Sequence, residues 1–344
     1  MKRKKIMTAL LATVLSAIFL MSCGSSDLGD STGGTSASSE EISVNLILSA
    51  RDEYLSIMER EANQVAAEYG VTITAQDAAN DTAKQIQFVE TARNNGDKAV
   101  IVNLVDPAAA AEIVEKAGDM KVVFINRYPT DDSILNENVV YVGSDEREAG
   151  EMQAAALAEY FDAEGKTDIK YVLIQGTLGQ DSVIKRTDSA LTGLEENGIN
   201  AKEATAPVAC DWDRAKALDK VATMVSSGLE FDCIISNNDA MAIGAIEALE
   251  AAGIDPNTIP IVGVDATPDG VQAVQEGKML MTALQDAKGQ GKGVVMALVN
   301  LLEGKAINDG TDYELAADNE NVVWIPFQLV NKDNADEYAD YYDN

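Results

Sequence analysis

Ser236-Asn237-Asn238-Asp239 is a run of short polar side chains between an apolar triplet, Cys233-Ile234-Ile235, and a segment in which Met241, Ile243, Ile246 and Leu249 recur at roughly helical spacing. The spacing predicts a strand that ends on the polar run and a helix that starts from it. Asp239 is the expected cap, since its carboxylate can accept free N–H groups of the first turn. Serine and asparagine at such a place offer donors and acceptors without net charge. The carboxyl edge of a parallel sheet is where open α/β folds hold small ligands. A capped loop with no ligand is the alternative reading of this stretch alone. A second edge of the same kind, Val100-Ile101-Val102-Asn103-Leu104-Val105-Asp106-Pro107, favours binding. The chain has no histidine, which removes Ser-His-Asp and Cys-His catalysis and the commonest zinc ligand sets. Asp52 and Asp265 as the carboxylate pair of a glycosidase remain the enzymatic alternative. The first reading is not an enzyme, and it needs no cofactor or metal.

The elements that must position these groups follow from length and pattern. At 344 residues and 46% apolar content the chain has room for two domains. A net charge of −31 repels phosphate backbones and argues against nucleic-acid binding; it suits a soluble, exported monomer. Residues 1–23 read as a targeting segment, with a basic start and an apolar run from Ile6 to Met21. That run is short for a membrane span. Leu20-Met21-Ser22-Cys23 resembles the bacterial lipobox, in which the cysteine is lipidated; an ordinary signal peptide is the alternative. Residues 24–41, rich in Gly, Ser and Thr, form a flexible tether. From Ser43 onward short apolar runs alternate with helical patterns: strands near 44–48, 71–75, 99–103, 121–126, 139–142, 169–174, 232–236 and 259–264, with helices between them. Pro107 opens one helix at its first turn, where a missing N–H costs little. This order predicts an α/β fold with parallel sheets, and the number of strands predicts two doubly wound sheets rather than one.

Asn103-Leu104-Val105-Asp106-Pro107-Ala108-Ala109-Ala110, the stretch from Ser236 to Ala245, and Val262-Gly263-Val264-Asp265-Ala266 resemble the bacterial galactose/glucose-binding proteins, sugar receptors of the ribose-binding type. The resemblance runs from about Ile42 to Asp333. It implies a type I periplasmic binding protein-like fold: two doubly wound parallel-sheet lobes joined by three hinge crossings, placed near Asn126, Gln285 and Glu320. The N-terminal lobe would be 42–126 plus 286–319, and the C-terminal lobe 127–285 plus 320–344. It implies a monosaccharide ligand, galactose- or glucose-like, delivered to the permease subunits of an ABC importer by a protein held to the outer face of the membrane through lipid on Cys23. A receptor for another pentose or a nucleoside-like ligand, or a sugar sensor, stays open.

The same resemblance assigns the ligand contacts. Tyr54, at a position usually held by phenylalanine, and Trp212 would stack on the two faces of the sugar, since C–H patches favour aromatic faces. Asp52, Asn103, Asn238 and Asp265 would bond ring hydroxyls, and Arg186 would supply charged donors. Gln285 stands where asparagine is usual. Gln180 and Ser182 replace a usual histidine and aspartate, with Asp181 adjacent, so this segment puts the exact sugar in doubt. The residues between Phe161 and Tyr171 are too few for the family's calcium loop. Gly165-Lys166-Thr167 copies the end of a phosphate-binding loop but precedes a strand, and Gly289-Gln290-Gly291-Lys292-Gly293 lacks a third properly spaced glycine, so neither is read as a nucleotide site. Cys210 and Cys233 could pair or remain free thiols.

Overall fold

Short runs, apolar in the central strands, flanked by turn residues and too short for packed helices, build two sheets. The computed structural model describes residues 42–342. In chain order the first part comprises β1 (Ile42–Leu48), α1 (Glu53–Glu68), β2 (Val71–Asp77), α2 (Thr82–Asn95), β3 (Ala99–Val102), α3 (Ala110–Ala117), β4 (Lys121–Ile125) and β5 (Val139–Gly143). The second part comprises α4 (Glu146–Ala163), β6 (Asp168–Gln175), α5 (Asp181–Glu196), β7 (Asn200–Glu203), β8 (Val208–Ala209), α6 (Arg214–Ser226), β9 (Cys233–Ser236), α7 (Asp239–Ala251), β10 (Ile261–Val264), α8 (Pro268–Gln275) and β11 (Met281–Leu284). The chain closes with α9 (Ala287–Glu303), β12 (Glu314–Ala316), β13 (Asn319–Trp324), β14 (Gln328–Asn331) and α10 (Ala335–Tyr338).

The first sheet has the order β12-β13-β5-β4-β3-β1-β2, and the second the order β14-β11-β10-β9-β6-β7, with β8 also on β6. All pairings are parallel except β12 with β13 and β11 with β14. Central strands such as β3, β9, β10 and β11 are buried at every residue, as expected for parallel strands covered on both faces. The chain is therefore two α/β lobes. They are joined at Ser144–Asp145, at Gln285–Asp286 and at Ile325–Phe327. The second crossing follows β11 of the second sheet and leads into α9. The first lies beyond Asn126, because Val139–Gly143 pairs with β4 in the first sheet. The third lies beyond Glu320, because β13 continues to Trp324 alongside β5. The leader 1–23, with Cys23, and the tether 24–41 lie outside the described residues. No helix among the described residues is long and apolar enough to cross a membrane. Cys210 and Cys233 are both free and buried.

Helix pairs cover the sheets: α1 packs on α9, α4 on α5 and α6 on α7. The glycines that hinted at a nucleotide loop lie inside α9, and Gly291 allows α1 to come close: a Cβ there would stand 2.7 Å from the Met58 carbonyl oxygen. Gly150 does the same for α4 against α5, where a Cβ would stand 2.7 Å from the Ala190 nitrogen and closer still to the Arg186 carbonyl. Backbone cannot yield as a flexible side chain can. Gly150→Ala is expected to lower stability by about 1–3 kcal/mol, read as a lower denaturant midpoint in equilibrium unfolding.

Candidate ligand-binding site

The strand ends that face the gap between the lobes lead into polar residues. After β1 comes Asp52, the N-cap of α1, whose Oδ1 accepts from the Leu55 N–H at 2.7 Å. After β4 come Asn126 and Arg127, after β10 Asp265, and after β11 Gln285. After β9 the cap of α7 is Asn238 rather than Asp239: Asn238 Oδ1 accepts from the Met241 N–H at 3.0 Å, and Asp239 becomes the first helical residue. These ends surround a cavity of about 80 Å3. At about 10–15 Å3 per water, the space holds several waters.

Asp52, Tyr54, Gln180, Ser182, Arg186, Trp212, Asn238, Asp265 and Gln285 line the cavity. Asn103 and Asp181 do not. Asn103 is wholly buried behind the wall: its Oδ1 accepts from Ser49 Oγ at 2.6 Å, and its Nδ2 donates to Ile125 O and Asn126 Oδ1, both at 3.2 Å. Its side chain supports Asn126, which does line the cavity. Asp181 turns to Lys185 one helical turn on, at 2.9 Å. The sequence reading missed Glu53, Leu55, Arg127, Glu146, Ala240 and Thr267 on the wall, and used Asn126 only as a hinge marker. Asn126 and Arg127 follow an apolar strand as Asn237 and Asn238 do, so that signal was available. Glu146 had none.

Arg186 organises the far wall. It is 3% exposed, and its Nε donates to Glu146 Oε2 at 2.6 Å and its Nη1 to the Asn237 carbonyl at 2.6 Å. Asp265 Oδ1 lies 3.8 Å from Nη1, and the guanidinium stands 5.7 Å from the centre of the Trp212 ring. Burial pulls this arginine down, but Glu146 and Asp265 overcome it and hold its pKa above the ordinary value. Glu146 Oε1 accepts from Gln285 Nε2 at 2.9 Å. Asn126 Nδ2 in turn donates toward Gln285 Oε1 and Gln290 Oε1, each at 3.3 Å. A continuous polar chain thus runs from Asn103 in the first lobe, through the second crossing, to Arg186 in the second. Trp212 rests its ring where any side chain on Gly176 would stand, and its Nε1 donates to Gln180 Oε1 at 2.9 Å.

Residues 44–306 match the family described as periplasmic binding protein domain. The chain belongs to the periplasmic binding protein family. It is 35% identical to a D-galactose/methyl-galactoside binding periplasmic protein of Haemophilus influenzae, over 96% of this chain and 98% of that one. It is 34% identical to a protein of Rhizobium meliloti named as a candidate rhizopine-binding protein, over 78% of this chain and 82% of that one. A solved ABC transporter solute binding protein of Bacillus halodurans, with bound myo-inositol, matches with a TM-score of 0.75 at 29% identity, covering 87% of this chain and 97% of that one. A periplasmic binding protein of this kind is a sugar-binding component of an ABC importer and not an enzyme, so the carboxylate-pair reading of Asp52 and Asp265 is set aside.

In this periplasmic binding protein the loop that presents Asp265 is strained. Asp265 and Ala266 have φ of 116° and 49°, conformations that cost about 1–3 kcal/mol each and persist only when the surroundings impose them. Asp239, wholly buried beneath, imposes this one. Its Oδ2 accepts from the Thr267 N–H at 3.0 Å, its Oδ1 from Thr282 Oγ1 at 2.7 Å, and Thr282 Oγ1 accepts from the Ala266 N–H at 3.1 Å. Burial raises the Asp239 carboxyl from 3.8 to about 7, against the two hydrogen bonds that lower it. Burial raises Asp265 as well, opposed by Arg186.

Two predictions follow from this wall. Glu146→Ala leaves the Arg186 guanidinium buried with only the more distant Asp265 carboxylate as a countercharge, and is expected to lower stability by up to about 3–5 kcal/mol; Glu146→Gln, which keeps a hydrogen-bonding oxygen, loses less. Equilibrium denaturation of both variants checks the ranking. Between pH about 4 and about 7 the folded protein holds a proton on Asp239 that the unfolded chain has released, so stability falls as pH rises through that window. Denaturation midpoints are expected to decline across it, with a shallower decline in Asp239→Asn.

Proposed function

We propose that this protein captures a monosaccharide or another cyclic polyol of that size between its lobes and presents it, enclosed, to the membrane subunits of an ABC importer. The observation that supports this reading is the juxtaposition in one small cavity of an indole, Trp212, a phenol, Tyr54, and hydrogen-bonding carboxylate and guanidinium groups from both lobes. Aromatic faces suit ring C–H patches, and the planar charged groups suit ring hydroxyls. Asp52 has one carboxylate oxygen committed to its cap and one left for ligand; Asn238 likewise keeps its Nδ2. Closure would exclude water and strengthen each of these contacts. The lobes moving about their crossings as a hinge would couple binding to recognition by the importer.

Galactose or glucose is the first reading of the ligand, supported by the relative named for D-galactose. A cyclitol is the second, supported by the myo-inositol in the Bacillus halodurans structure and by Glu146 on the cavity wall. Its carboxylate occupies two donors, Arg186 Nε and Gln285 Nε2, that a sugar ring oxygen would otherwise claim. A ring with a hydroxyl on every carbon needs fewer such donors. Lipid anchoring through Cys23, on the pattern Leu20-Met21-Ser22-Cys23, and a monomeric state belong to the same proposal.

Calorimetric titration of the purified protein without its leader, against galactose, glucose, myo-inositol, xylose, ribose and arabinose, tests this. Saturable binding of one of these, with a negative heat-capacity change from closure over apolar surface, is the expected result. Absence of binding by every member in a folded sample would remove the polyol reading.

A further inference from the structure

After β14 the chain is fastened to the second lobe and then, within a few residues, to the first. Asn334 Nδ2 donates to the Leu329 carbonyl at 2.8 Å, and α10 packs on α8 and β14. Gln275 Nε2 of α8 donates to Asp336 Oδ1 at 2.9 Å, and the Tyr338 hydroxyl donates to Gln328 Oε1 at 3.1 Å. These contacts all lie inside the second lobe. The next ones do not. The Tyr341 hydroxyl donates to Oδ1 of Asp286, the cap of α9, at 2.8 Å, and the Lys288 ammonium stands 5.2 Å from the centre of the Tyr341 ring. Arg60 Nη2, on α1, donates to the Tyr342 carbonyl. The Tyr342 ring is buried edge-on against Tyr341, and its hydroxyl donates toward the Gln285 carbonyl in the second crossing at 3.5 Å. Because α1 packs on α9, and α9 on β3, β4 and β5, the Arg60 and Asp286 anchors move with the first lobe.

We propose that residues 339–342 form a strap between the lobes, beside the second crossing, which favours the arrangement that encloses the cavity and sets how readily the lobes part. It is a noncovalent connection added to the three covalent ones. Its contacts are made in the enclosing arrangement: the cavity has walls from both lobes, and Lys185 Nζ of α5 stands 5.2 Å from the centre of the Tyr128 ring in the first lobe. The strap gives only a little. Between its anchors lies one turn, with the Tyr341 N–H on the Tyr338 carbonyl at 3.0 Å. Three residues reach about 10 Å when extended but stay under about 7 Å across such a turn, so unwinding it supplies about 3 Å of slack. Wider parting must release Tyr341 from Asp286 or Tyr342 from Arg60. Contacts present in one arrangement and lost in the other shift the balance between them. The strap therefore adds to the affinity for whatever the enclosed form holds, without touching it.

The double variant Arg60→Met, Tyr341→Phe removes both ties to the first lobe and keeps the tail's bulk. Spin labels on Glu115→Cys, in the first lobe, and Glu195→Cys, in the second, report the separation of the lobes by pulsed electron paramagnetic resonance; the leader-free protein otherwise carries only the buried thiols of Cys210 and Cys233. Without ligand, the double variant is expected to show a longer and broader label distance than the parent. Tyr338→Phe, which cuts a bond inside the second lobe, is expected to leave that distance unchanged. Affinity of the double variant for the polyol that the parent binds is expected to fall about 3- to 10-fold by calorimetry, the worth of one or two such hydrogen bonds. A lower denaturant midpoint with an unchanged label distance overturns the strap, since it is what a merely stabilising tail would give. The distance arm uses no ligand. If the parent binds no polyol, the proposed ligand class falls and the label distance still decides the strap.

Discussion

A guanidinium cannot be buried alone, and the cleft of this protein is arranged around that constraint. Taking Arg186 out of water is unfavourable by several kcal/mol even after relaxation, and only close partners offset it. Glu146 supplies the opposite charge, the Asn237 carbonyl a second acceptor, and Trp212 an aromatic face. Each partner comes from a different element: the start of α4, the end of β9 and the turn before α6. The second lobe must be folded with all three in place before Arg186 can sit at the cavity wall. What the ligand would meet is then an arginine fixed in one orientation, with its entropy already lost on folding rather than on binding.

The same economy governs the backbone. Left-handed φ values at Asn126, Asp211, Trp212, Asp265 and Ala266 fall at or beside cavity residues. Such conformations cluster where a chain must aim a side chain against its local preference. Asn126 is held by Tyr141, whose hydroxyl donates to its carbonyl at 2.7 Å. Asp265 is held by the Asp239–Thr282 pair beneath it. The buried carboxyl of Asp239 is thus a scaffold for the cavity-wall loop that carries Asp265, which explains a group whose burial is unfavourable when considered by itself.

How much of this was legible in the sequence depends on which interactions decide each feature. The two-sheet α/β fold was legible because buried parallel strands leave apolar runs that local pattern exposes. Trp212, Arg186 and Asp265 were legible as candidates through the family resemblance, since residue type and place alone leave each of them an ordinary structural reading as surface anchor, ion-pair partner or cap. Asn103 was misplaced for a reason that pattern cannot see. It follows β3 as Asn126 follows β4, but the Ser49 hydroxyl and the Ile125 carbonyl consume its amide, so its neighbour meets the cavity instead. The crossings were displaced for a similar reason: Val139–Gly143 reads as a strand, and only pairing decides which sheet receives it. Glu146 was invisible, since nothing in Ser144-Asp145-Glu146-Arg147-Glu148 distinguishes it from a solvated, acidic helix start.

Glu146 also connects the cavity wall to the crossings between the lobes. It stands immediately after the first crossing, and its partner Gln285 stands in the second. Any rotation of the lobes that alters backbone angles at these crossings must strain or remake the Glu146–Gln285 bond, and through Glu146 the seat of Arg186. Conversely, a ligand that fixes Arg186 biases the crossings. A ligand shifts a two-state equilibrium only by its differential affinity for the states. An arginine of the cavity wall placed one hydrogen-bonded residue from a crossing would be a direct way to obtain that difference. The third crossing lies against the first, through the Ile325 N–H to the Gly143 carbonyl at 2.7 Å. Two of the three connections are therefore tied by backbone, and the crossing that carries Gln285 is tied to the first through the Glu146 side chain.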